Sequence, residues 1–114
     1  MANKQQYPNE IVKFQMLDGD TEMTLQMFSI YQLKAKAKKS WSWSRYNKIT
    51  SGKGDEGEFD IAYLLYTAHM CACVSNGVDP DERYESFEDF LKNIPSDRVA
   101  MLSAYEVMTG QKKA

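Results

Sequence analysis

Nineteen consecutive residues, FDIAYLLYTAHMCACVSNG (59–77), constrain the fold more than any other part of the chain. Wound as a helix, they present apolar side chains almost all round the cylinder. A helix of that kind must be packed on several sides. Gly77 suits the position just past its end, and the acids of 51–58 together with Asp60 suit the positive end of its dipole. The stretch predicts a helix over about 59–75 in the middle of a core. Its longest apolar run, Ile61 to Val74, is interrupted by Thr67 and His69 and is short for a bilayer span.

The remaining elements must cover that helix. A chain of 114 residues reads as one domain. Its 43% hydrophobic content is enough for a core and excludes wholesale disorder. Val12, Phe14 and Met16 alternate with Lys13 and Gln15, and Met23, Leu25 and Met27 alternate with Thr24 and Gln26. Period two means one buried and one wet face. Asp18-Gly19-Asp20-Thr21 lies between the runs, with Gly19 able to take the positive φ of a tight turn. A hairpin over about 11–28 is predicted. It must pack on helices, because two strands alone are marginal.

A first helix is expected from Ser29 as N-cap, with Ile30, Leu33, Ala37 and Trp41 as its buried seam. Ser-Trp-Ser-Trp-Ser then reads as a break leading to a short second helix. Residues 51–58 hold three of the six glycines and read as a loop. Ser86 with Asp89 resembles a capping box for a helix ending near Asn93, before Pro95. Ser96 is read as the cap of a last helix whose apolar face is Met101, Leu102, Tyr105 and Met108, closed by Gly110. The fold class is α+β, mostly helical: an N-terminal hairpin packed on about four helices with a central buried one. Residues 1–10 are expected to be a flexible tail, 11–110 a single globular domain and 111–114 a polar tail.

Few residues suggest chemistry. His69, Cys71 and Cys73 are the only histidine and cysteines. His69 and Cys73 share a helix face, but Cys71 points elsewhere, and zinc wants about four converging ligands. Thiols in so apolar a segment are poor nucleophiles. Cysteines two apart on a helix make a poor disulfide, so reduced thiols in the cytoplasm are expected. Asp79, Asp81 and Glu82 lack the spacing of a calcium loop, and SGKGDEG lacks that of a phosphate loop. No catalytic, cofactor-binding or metal-binding residue is assigned, and no enzyme activity is expected.

The run KAKAKKSWSWSRYNK (34–48) holds six basic residues, two tryptophans, a tyrosine and no acid. Lysines could contact phosphates and aromatic rings could stack on bases. Against that, the net charge is −2 and the lysines spread round their helix instead of forming a stripe. A solvated helix face followed by an aromatic segment that packs or docks a protein is preferred. Six methionines beyond Met1 suit core filling, or a surface that adapts to a partner. Trp43, Tyr46, Met101, Tyr105 and Met108 are the candidate partner-binding residues, provided they are exposed.

The second half, FDIAYLLYTAHMCACVSNG followed by an acidic loop and YESFEDFLKNIPSDRVAMLSAYEVMTGQKK, resembles the small tail assembly chaperones of siphophages and related prophages of Gram-positive bacteria. Phe87 to Pro95 matches a turn-and-helix pattern found before the last helix of that family. The likeness covers about 59–113, with the front compatible. It implies a non-enzymatic factor that binds the tape-measure protein, helps recruit major tail protein to the tube, self-associates in several relatives and acts in the host cytoplasm. Lys112-Lys113 would suit the frameshift site from which many relatives make a longer form. The alternatives are a nucleic-acid-binding accessory protein using 34–48, and a head–tail connector or completion protein.

Overall fold

The structure, a computed structural model, describes residues 11–36 and 41–109. The expected tails at 1–10 and 111–114, Ala37 of the predicted seam, Lys38, Lys39 and the closing Gly110 lie outside those residues.

The fold is α+β and mostly helical, with the hairpin leading. Strands β1 (Val12–Met16) and β2 (Gly19–Met23) pair antiparallel from Val12↔Met23 to Met16↔Gly19. Leu17 and Asp18 form the turn, and Gly19 follows it with φ +118°, a conformation that side chains with a Cβ rarely adopt. Phe14, Met16, Thr21 and Met23 make the buried face.

The second strand ends earlier than its alternation predicted. The Thr24 N–H donates to the carbonyl of Ala68 at 3.2 Å, and the Gln26 carbonyl accepts from the Ile30 N–H at 3.0 Å. The chain therefore leaves the ladder after Met23 and enters α1 (Met27–Lys36) at once. Met27, assigned to a strand face by periodicity, opens that helix and is 80% exposed. Ser29, expected as the cap, is buried inside it.

Ile30 and Leu33 bury α1 as anticipated, but Trp41 does not continue their seam. Trp41 is buried just ahead of a separate helix, α2 (Trp43–Lys48). Its indole N–H donates to Thr67 Oγ1 at 2.9 Å. The Ser42 hydroxyl caps α2 by accepting from the Arg45 N–H at 3.1 Å. A π-helical turn, Ile49–Lys53, follows.

The central helix is α3 (Glu58–Ser75), and it is buried along most of its length. It touches β2 and helices α1, α2, α4 and α5, so an all-round apolar surface is what its position requires. Gly77 lies just past its end at φ +73°. Helix α4 (Phe87–Asn93) is capped by Ser86 Oγ, which accepts from the Asp89 N–H at 3.1 Å. The Asp89 carboxylate reaches back to the N–H of Glu85, at 3.2 Å, one residue earlier than a capping box would place it. Helix α5 (Arg98–Met108) is capped by Asp97, not Ser96: Asp97 Oδ1 accepts from the Ala100 N–H at 3.0 Å.

Arg83 fixes the hairpin to the loop after α3. Its guanidinium donates to the carbonyls of Gly19 and Asp20, both at 2.8 Å, and to Asp18 Oδ1 at 3.0 Å. The Tyr84 hydroxyl donates to the same Asp18 oxygen at 2.7 Å. Burial pushes the Asp18 carboxyl upward, but hydrogen bonds from Arg83 and Tyr84, with the charge of Arg83, outweigh it and hold the group below its ordinary value.

Candidate functional site

Helix α1 has two apolar sides. At 100° per residue, Ile30 and Leu33 face α3, while Met27, Phe28 and Tyr31 fall within an arc of about 100° on the other side. The second group is open to solvent, with Met27 80%, Phe28 68% and Tyr31 67% exposed. Three large apolar side chains on so short a helix exceed the scattered exposure of an ordinary surface. Lys34 and Lys36 sit on opposite flanks of this ridge, both exposed.

The Lys34 ammonium lies 4.5 Å from the centre of the Trp43 ring, which carries the ridge onto α2. Trp43 is 38% exposed. Its ring joins Trp41 and Tyr46, with centroids 6.3 Å (Trp41–Trp43), 5.8 Å (Trp41–Tyr46) and 5.8 Å (Trp43–Tyr46) apart. Tyr46 is half-buried, and burial pushes its hydroxyl up to about 12, with Cys71 and Tyr105 adding to the effect. The Arg45 guanidinium lies over Tyr63 at 4.4 Å and Phe87 at 5.0 Å, so this cation is spent on the protein's own rings.

Of the five partner-binding candidates, Trp43 and Tyr46 are in ring contact, but the five do not form one exposed surface. Trp43 is exposed and Tyr46 and Tyr105 are half-buried. Met101 and Met108 are core residues, 7% and 0% exposed, and present nothing to a partner in this conformation. Met16, Met23 and Met70 are buried as well; of the six methionines beyond Met1, Met27 alone is exposed. Sequence reasoning missed Met27, Phe28 and Tyr31. Their signal was a second apolar arc out of phase with Ile30 and Leu33, hidden when Met27 was assigned to a strand.

His69 is 2% exposed, with Nδ1 2.8 Å from Thr21 Oγ1 and Nε2 3.8 Å from Cys73 Sγ. Its ring packs edge-on against Tyr84. Burial, assisted by the charge of Arg83, lowers its pKa to about 4. Burial raises the Cys71 thiol to about 12 and, with Glu82 adding, the Cys73 thiol to about 11. Thiols so far from ionisation are weak nucleophiles at neutral pH. Among the described residues, no three or more His, Cys, Asp or Glu side chains are placed to share a metal ion. Among them also, no helix is long and apolar enough to cross a membrane.

Comparison with protein-family models, with curated proteins and with solved structures finds no match to this chain.

Proposed function

We propose that the chain is a non-enzymatic tail assembly chaperone of a siphophage or related prophage. In this reading it binds the tape-measure protein in the host cytoplasm, shields apolar segments of that protein and helps recruit major tail protein to the growing tube. The likeness of 59–113 to that family suggests the role. The observation that carries it is the solvent-facing ridge Met27, Phe28 and Tyr31 on α1, a surface suited to reversible helix packing. The rival reading, in which 34–48 grips nucleic acid, has less support. Trp41 is buried, Tyr46 half-buried, and Arg45 lies over Tyr63 and Phe87 of the protein itself.

The test is co-expression with the tape-measure protein that this reading expects to be encoded beside it. The expected outcome is a higher soluble yield of that protein and its co-purification with the chain. Unchanged solubility together with no co-purification overturns the proposal.

A further inference from the structure

The charge of the chain is unevenly distributed. Residues 23–54 contain seven of the 14 basic side chains and none of the 16 acidic ones. The rest of the protein is correspondingly acidic, although the net charge is only −2. The exposed ridge of α1 lies within the basic segment. Its flanks are Lys34 and Lys36, and Trp43 extends it beyond Lys34.

We infer that this face docks an amphipathic helix whose apolar stripe packs on Met27, Phe28 and Tyr31 and whose flanks are acidic. The inference rests on the protein-binding reading above and names the chemistry of the partner at that surface. The ridge occupies the first five residues of a ten-residue helix about 15 Å long, and Lys34 with Trp43 continues the face along it, so two or three turns of a partner helix can cover the face. Apolar packing supplies most of the affinity, and the lysines choose between partners by sign. Carboxylates on the flank of the incoming helix meet Lys34, whose ammonium lies beside the Trp43 ring.

Three other occupants fit less well. A second copy laid face to face would set Lys34 and Lys36 against their own equivalents, a like-charge contact. A nucleic acid or an anionic bilayer extends well past a 15 Å patch and would meet the acidic remainder of the protein. A short acidic helix touches the basic face alone.

The experiment uses the full chain and fluorescent amphipathic peptides of about twenty residues, long enough to form a helix on binding. One peptide carries leucines on one face and glutamates on the other, and a second has lysines in place of the glutamates. The acidic peptide is expected to bind at least about tenfold more tightly than the basic one, with the preference shrinking as salt is raised. Tyr31→Glu should weaken binding of the acidic peptide by about tenfold or more, and Lys34→Glu with Lys36→Glu should remove the preference. All these positions are exposed, and circular dichroism of each variant serves as the control for folding.

Equal binding of the two peptides, or binding that survives Tyr31→Glu, overturns the inference. So does a Tyr31-dependent preference for phosphatidylserine vesicles or a single-stranded oligonucleotide over the acidic peptide. If the tape-measure protein co-purifies equally well with the Tyr31→Glu variant, the inference fails and the chaperone reading stands. If the acidic peptide binds at Tyr31 but the tape-measure protein never co-purifies, the chaperone reading fails and the inference stands.

Discussion

Helices α3 and α1 are both rich in apolar residues, and they use them in opposite ways. From Ala62 to Ala72 α3 is buried against its neighbours, and its buried polar side chains are paired: Thr67 accepts from Trp41 and donates to the carbonyl of Tyr63 at 2.8 Å, while His69 meets Thr21. Helix α1 covers one side against α3 and leaves the other to water. The difference separates residues that hold the fold from residues that are free to serve a partner. Apolar content alone does not tell them apart, but the phase of each apolar group relative to the core does.

The sharpest way to break this comparison is to compare truncations in the two places. Phe90, fully buried against Tyr66, Tyr84 and His69, belongs to the α3 environment. Phe90→Ala should lower unfolding stability by about 3–5 kcal/mol in a denaturant titration, a large fraction of the total for a domain of this size. Acid probes the same region more gently. His69 titrates at about 4 in the folded protein, against an ordinary value of 6.5. Above about pH 6.5 the ring is neutral in both states and contributes no pH dependence. As pH falls from there to about 4, the unfolded chain takes up a proton that the folded one refuses, so stability should drop by about 3 kcal/mol. His69→Gln should flatten that slope, while the loss due to Asp18, whose folded pKa is depressed, belongs to lower pH.

Smaller effects sharpen the contrast. Arg83→Ala frees the hairpin turn and should cost about 1–2 kcal/mol, reduced by partial exposure of the pair. Thr24 is 1% exposed and its hydroxyl has no hydrogen-bond partner among the described residues. Thr24→Val should therefore raise the denaturation midpoint, by about 1 kcal/mol in stability. The smallest change is expected on the outer face of α1, where Phe28→Ser and Tyr31→Ser should each shift stability by less than about 0.5 kcal/mol. A shift of 2 kcal/mol or more there would mean that the ridge is structural.

The elements that could be read from the sequence were those marked by local chemistry. The central helix followed from apolar residues on all its sides, Gly77 from its place at a helix end, and Ser86 from its spacing to Asp89. What could not be read depended on where the chain turns in three dimensions. Alternation at Met23, Leu25 and Met27 carries no mark of where a strand stops; the bond from Thr24 to Ala68, on a distant helix, ends it. The seam from Ile30 to Trp41 requires one continuous helix, whereas Trp41 is not helical and reaches Thr67 from just ahead of α2. The adaptable side chains that make Met101 and Met108 look like surface candidates suit them equally to filling the core under α5. The ridge of α1 was overlooked because its phase is visible only once the start of the helix is known.

The grip of Arg83 on the hairpin has a consequence for how the protein is made. The guanidinium and the carboxylate it holds are 65 residues apart in the chain. At about 5–20 residues per second on the ribosome, the hairpin emerges several seconds before its fastener has been translated. The hairpin thus waits unfastened while α1, α2 and α3 are made.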